Sequence, residues 1–256
     1  MVIDPVHRGQ LLLRRTGRLL QGEAPETTRI DHLDDAGRER YYEDAFRRFD
    51  KWAARIESLT GRSVDSRRAL DYGCGVGRVA LPLAGRCEHV YGLDISPAVL
   101  READRNAKRL NLTNVEWLAA DRLSDLSGSY DLVISLYVFQ HIPSREGERI
   151  FATLVAGLRP GGIGAIHVTI RPRQPLSGLL HWTKESGARV DKPLALARRM
   201  NWSYPYMLMH SYSLNRLGRL LVDNGVSEWH ARWDARDSGA STGRANETAT
   251  IFFVKD

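Results

Sequence analysis

Ala69-Leu70-Asp71-Tyr72-Gly73-Cys74-Gly75-Val76-Gly77-Arg78-Val79-Ala80 reads as a buried strand, a glycine-rich turn and the first residues of a helix. Glycines at three alternate positions let the main chain turn through conformations that a β-carbon resists, and let a ligand approach the backbone closely. The dinucleotide fingerprint spaces its glycines as G-x-G-x-x-G, whereas here the order is Asp71-x-Gly73-x-Gly75-x-Gly77, with an acid where the strand ends. That carboxylate would repel a pyrophosphate and suits a ligand carrying an ammonium and a sulfonium charge.

S-adenosylmethionine is such a ligand, and the residues on either side of the turn extend the reading. Upstream, Tyr41, Tyr42, Ala45, Phe46, Phe49, Trp52 and Ile56 recur at three- and four-residue steps, which predicts a helix over 38–59 with an aromatic stripe. The stripe reads as core, with one tyrosine able to reach the ligand pocket. Downstream, His89-Val90-Tyr91-Gly92-Leu93-Asp94 is a second strand ending in an acid, placed where a carboxylate accepts both ribose hydroxyls of an adenosine. Ser96 and Pro97 are an N-cap and a first helical residue, which predicts a helix to Leu110.

A third strand, 114–118, runs into Ala119-Ala120-Asp121 and is followed by a short loop, and the apolar run Tyr130–Leu136 is a strand covered on both faces, beside the first. A helix over 144–158 is expected to stop at Arg159-Pro160-Gly161-Gly162, before a fifth strand from Ile163 to Ile170. Ser213 caps a last helix ending near Asn224-Gly225, and strands near 227–233 and 248–254 close the chain. Strands alternating with helices imply an α/β, Rossmann-like, doubly wound sheet, whose ligands bind beyond the carboxyl ends of the strands.

A chain of 256 residues, 43% apolar, accommodates one large α/β domain with an elaboration. Two cysteines offer no disulfide framework, no apolar run reaches the length of a membrane span, and the first residues do not form a signal peptide; a soluble, cytoplasmic chain with no membrane partner is expected. The formal charge of +6 is uneven: residues 71–170 are nearly neutral, whereas 171–210 carry seven basic side chains against two acidic. Residues 1–37 read as an N-terminal helical extension packed on the domain or on a second copy, a homodimer. Residues 38–170 form the ligand-binding core, 171–210 a cap or lid with four prolines, and 211–256 the closing part of the core.

On these motifs the chain resembles the class I S-adenosylmethionine-dependent methyltransferases, over roughly 38–170 and 211–256. The resemblance implies a seven-stranded sheet with an antiparallel last strand, S-adenosyl-L-methionine as donor and S-adenosyl-L-homocysteine as product. It assigns the methionine end to Asp71, Gly73, Gly75 and Gly77, the ribose to Asp94 with Ile95 beside it, and the adenine amino group to Asp121, with the Arg122 backbone and Leu136 at the same pocket. After the fourth strand the chain has Ser135-Leu136-Tyr137-Val138-Phe139-Gln140-His141-Ile142-Pro143, not the N/D-P-P-Y/F of base amino-methylating members. This resembles the small-molecule branch.

Methyl transfer needs aligned reactants and exclusion of water more than a dedicated acid. For a hydroxyl nucleophile, His141 is the candidate base, with a structural role in capping a carbonyl as its competitor. His167 reads as a core residue, and His181 and His210 rank behind His141. The basic cap reads either as solvated surface or as a pocket for an anionic or sugar-derived acceptor, lined by Tyr137, Arg171, Trp182, Trp202, Tyr204 and His210. An RNA or protein acceptor is the alternative, and a donor sensor or partner-dependent subunit the alternative of another class. The confinement of charge to one insertion argues against nucleic acid, and no His, Cys or acidic set has metal-site spacing.

Overall fold

A computed structural model of the chain describes residues 30, 33–171, 210–237 and 246–256. The glycine turn sits between the first strand, β1 (Arg68–Tyr72), and a short helix, α2 (Ala80–Ala84). Ahead of them runs α1 (Asp35–Thr60), capped by the Asp34 side chain, which accepts from the Gly37 N–H, and closed by Gly61 in the left-handed region. Its buried residues, Tyr42, Ala45, Phe49, Ala53 and Ile56, follow the three- and four-residue steps of the sequence and form one helix face. Full burial of each larger side chain contributes about 1.5–3 kcal/mol, and Trp52 reaches Phe252 on the last strand, ring centroids 6.4 Å apart.

The remaining elements are β2 (His89–Asp94), α3 (Pro97–Arg109), β3 (Val115–Ala119), β4 (Tyr130–Ser135), α4 (Ser144–Gly157), β5 (Leu158–Arg171), α5 (Leu214–Asp223), β6 (Trp229–Asp237) and β7 (Asn246–Val254). They form a seven-stranded sheet in the order β3-β2-β1-β4-β5-β7-β6. The pairs β1–β2, β2–β3, β1–β4 and β4–β5 are parallel, whereas β7 runs antiparallel to both β5 and β6. The order reverses at β1, so the crevice beyond β1 and β4 is where a ligand of such a sheet binds. Apolar clusters cover both faces: one under α4 and α5, with Phe139, Phe151, Leu154 and Leu217, the other under α1 and α2.

Two expectations need correction. Arg159-Pro160-Gly161-Gly162 follows the helix end, at Gly157, but lies inside the next strand, which begins at Leu158 rather than Ile163. The helix passes directly into β5 at Leu158, which pairs with Tyr130, and the ladder resumes at Ile163 opposite Leu132. The four residues bulge on the β4 side between these pairs, with Gly161 at φ +76°, while Gly161 and Gly162 exchange backbone hydrogen bonds with Lys255 beyond β7. The connection after β3 is not a simple loop but a 3-10 turn over Ala120–Leu126, whose Leu123 and Leu126 are buried. Residues 1–29 and 172–209, including Trp182, Trp202, Tyr204 and His181, lie outside the described residues, as do residues 31, 32 and 238–245.

Candidate functional site

The glycine turn is held by the tip of β2. The Gly73 and Cys74 N–H groups donate to the Leu93 carbonyl at 2.7 and 2.9 Å, and the Gly75 N–H donates to Asp94 Oδ2 at 3.1 Å. Asp94 Oδ1 accepts from the Ser96 N–H at 2.9 Å, so this carboxylate fixes both the turn and the start of α3. Each carboxylate oxygen retains accepting capacity for a further partner. Burial pushes Asp94 upward, against the backbone donors that favour its ionised form.

The turn is built tightly on one side and openly on the other. A Cβ on Gly73 would lie 2.3 Å from a methyl of Val138, in the segment after β4, and Gly73 stands at φ +76°. Gly75, at φ +55°, has nothing within 4 Å of its Cβ position, leaving a bare stretch of backbone. From α1 the Tyr42 hydroxyl donates to the Val76 carbonyl at 3.0 Å, and from α3 Asn106 Nδ2 reaches the same oxygen at 3.4 Å. A tyrosine of the aromatic stripe therefore does reach the turn, as a brace on its backbone.

Asp71 lies beneath the turn, 2% exposed. Its carboxyl accepts from the Ala80 N–H, while Oδ2 has no partner among the described residues. Burial, opposed by that bond and reinforced by the nearby Asp94 charge, pushes its pKa up to about 8. A buried carboxyl with an open oxygen beside half-buried glycine backbone that has space above Gly75 fits a cationic ligand group. The site thus has the acceptors that the ammonium and ribose ends of S-adenosylmethionine require. Ile95 is half-buried next to Asp94, and Leu136 half-buried after β4; Asp121 and Arg122 are exposed in the 3-10 turn, where Arg122 pairs with Asp125.

The segment after β4 forms the other lip. Tyr137 is 45% exposed with φ +63°, and its ring lies against His167, centroids 4.5 Å apart. His141 ends a 3-10 turn, Phe139–His141. Its Nε2 is 3.0 Å from the Gln140 amide nitrogen, and Nδ1 is buried with no partner among the described residues. Burial lowers the pKa of His141, favouring the neutral imidazole. With the Gln140 N–H donating to Nε2, the ring proton sits on Nδ1; with that amide turned over, Oε1 takes the Nε2 proton and Nδ1 becomes the basic nitrogen.

The chain returns to this lip at 210–212. The His210 N–H donates to the Gln140 carbonyl at 2.8 Å, and the Tyr212 N–H to the Thr169 carbonyl at 2.8 Å. The Tyr212 hydroxyl lies 2.9 Å from the Phe139 carbonyl and 2.7 Å from that of Ile142, sharing its proton between them. Sequence reasoning missed Tyr212, Val138 and Asn106: each acts on residues 30 or more positions away, and nothing local marks them. Arg171 is exposed at the end of β5, opposite Glu247 of β7. Among the described residues no cluster of His, Cys, Asp or Glu could hold a metal ion, and no helix is long and apolar enough to cross a membrane.

A doubly wound sheet with this turn, this strand order and a reversed last strand is the architecture of the class I methyltransferases. Residues 69–162 match the methyltransferase domain family, a likeness consistent with the class I S-adenosylmethionine-dependent methyltransferases. The chain is 38% identical over 87 residues to a magnesium-protoporphyrin O-methyltransferase of a Synechocystis species, an alignment covering 34% of this chain and 38% of that protein. It is 35% identical over 98 residues to a ubiquinone biosynthesis O-methyltransferase of Burkholderia ambifaria, covering 38% and 41%. The chain thus matches only about two fifths of each relative's length. In fold it is similar to the crystal structure of magnesium protoporphyrin IX methyltransferase from Synechocystis with bound S-adenosylhomocysteine, with a TM-score of 0.56, 20% identity, and coverage of 93% of this chain and 92% of that one.

Proposed function

We propose that the chain transfers a methyl group from S-adenosylmethionine to an oxygen or nitrogen of a small acceptor, one that can be anionic or sugar-derived. The observation that carries the donor reading is the Asp94 carboxylate holding the Gly75 and Ser96 N–H groups at the switch in strand order, above the open Oδ2 of Asp71. The donor supplies a methyl carbon already activated by sulfonium, so alignment and exclusion of water fall to the protein. In this reading Asp94 accepts the ribose hydroxyls, Asp71 the ammonium, and the Gly75 backbone allows close approach. Asp121, the Arg122 backbone, Ile95 and Leu136 border the adenine. His141, kept neutral by burial, takes the acceptor's proton when that acceptor is a hydroxyl. Tyr137, His210 and Arg171 stand on the acceptor side.

Calorimetry with S-adenosylmethionine tests the donor half. Asp94→Ala removes two charge-assisted acceptors as well as the ribose contact, and is expected to weaken binding by about 100-fold, in line with ~3 kcal/mol for such bonds; unchanged affinity would refute the assignment. His141→Ala is expected to leave binding within about twofold and to slow transfer by about 100-fold or more, the usual contribution of a general base. Methyl-labelled donor incubated with size-fractionated extract tests the acceptor half. Label in the small-metabolite fraction supports it, and label in RNA or protein refutes it.

A further inference from the structure

Beyond the carboxyl end of β4 the sheet continues on one side only. Ser135, the last residue of β4, is level with Ile166, while β5 runs on to Arg171 and stays paired with β7. On this overhang His167 stands opposite Thr250, and Thr169 opposite Thr248. Alternation along the strands puts these side chains on one face of the sheet. It is the face that α1 covers, since Ala165 and Phe252, next along the same rows, share an apolar cluster with Phe49, Ala53 and Ile56.

A sequence needing only core at these positions would use valine, which has the shape of threonine without its hydroxyl. Here Thr169 and Thr250 are 0% exposed, and neither hydroxyl has a hydrogen-bond partner among the described residues. Two unpaired hydroxyls in one buried row call for a ligand group, because buried polar atoms in folded proteins are otherwise satisfied. The row also has an entrance. Its His167 is 1% exposed and covered by the Tyr137 ring, which is itself 45% exposed and sits on a backbone at φ +63°, directly after β4. Displacing that half-exposed ring would uncover His167 on the side of the lip that carries His141.

We propose that Thr169 and Thr250, with His167 between them and the lip, form a subsite that recognises a neutral hydroxyl or carbonyl oxygen of the acceptor, and that Tyr137 is its cover. The inference deepens the methyl-transfer reading and rests on it, since it takes the acceptor to enter at this lip. Hydroxyls both donate and accept without charge, so they match an alcohol, phenol or carbonyl. A site built around such a bond rejects an analogue that lacks the oxygen far more strongly than an apolar pocket can.

Phenol and toluene, alike in shape and differing in that oxygen, are the probes. Each is titrated by ligand-observed NMR into the full chain saturated with S-adenosylhomocysteine, for the wild type and for the Thr169→Val/Thr250→Val variant. The wild type is expected to prefer phenol at least tenfold, and the variant less than threefold, with S-adenosylhomocysteine affinity held within twofold and melting temperature unchanged or higher. An undiminished preference in the variant, or none in the wild type, would overturn the subsite while leaving the donor reading in place. A melting temperature lowered by more than 5 °C would overturn it too, because the hydroxyls would then be holding the fold. Failure of the wild type to bind S-adenosylhomocysteine would instead refute the donor reading, and the subsite with it.

Discussion

Gly73 and Gly75 stand two residues apart in the same turn, and both have positive φ, yet their surroundings separate what each is for. At Gly73 a methyl group would meet Val138 at 2.3 Å, so the residue is needed by the fold. At Gly75 a methyl group would meet nothing within 4 Å. Gly73→Ala therefore combines left-handed strain with overpacking, and is expected to destabilise the chain by about 3 kcal/mol. Gly75→Ala carries only the strain, about 1 kcal/mol, but places its methyl where a ligand would lie on the backbone. Denaturant unfolding and donor calorimetry on the two variants should rank oppositely: Gly73→Ala the less stable, Gly75→Ala stable enough to assay and weak in binding. Equal losses of stability would contradict this division.

The 3-10 turn after β4 shows the same dependence on distant partners at the level of an element. Two of its carbonyls, from Phe139 and Ile142, accept from the hydroxyl of Tyr212, about 70 residues later, whose ring also packs on Phe139 at 5.7 Å; the Phe139 carbonyl also accepts from the Ile142 N–H. Tyr212→Phe takes this donor from the Ile142 carbonyl, leaves the Phe139 carbonyl only its Ile142 N–H, and is expected to cost about 2 kcal/mol, lowering the melting temperature by about 4–8 °C. The same change should slow transfer by loosening His141, with donor affinity nearly intact; activity at the wild-type level in a destabilised variant would separate this clamp from catalysis. Such a contact has no local signature, which is why the sequence exposes the elements better than their braces. β2 was legible to the residue because an apolar run ends in a polar tip, and Ser96-Pro97 marked the start of α3 through cap chemistry. The Arg159–Gly162 stretch marked the helix end to within a residue but hid the strand start at Leu158, because proline and glycine punctuate a bulge as readily as a helix end. The acids at the strand tips were legible as types, whereas the roles of Tyr137, Val138 and Thr250 depend on strand register and on a backbone angle that no residue spacing encodes.

At the scale of the whole molecule, the site and the stability of the fold are linked through protons. Asp71 has its pKa raised to about 8 in the folded chain, chiefly by burial, against 3.8 for an unperturbed carboxyl. Between those values the folded state holds a proton that the unfolded state has released, so this group makes stability fall as pH rises from about 4 to about 8. His141 acts in the other direction: its folded value is lowered by burial, and its contribution is present above 6.5 and lost as pH falls below it. Asp71→Asn keeps the shape and removes the first dependence, so the variant is expected to gain stability over the wild type as pH rises toward 8. A gain that instead grew toward pH 4 would contradict the burial argument. The same carboxyl must ionise to hold an ammonium group, so donor binding at pH 7 should release a proton. The apparent binding enthalpy should therefore differ between phosphate and Tris buffers by a fraction of their ionisation enthalpies, and the difference should vanish in Asp71→Asn. Equal enthalpies in the two buffers for the wild type would mean that Asp71 is already charged in the free protein, against the burial argument.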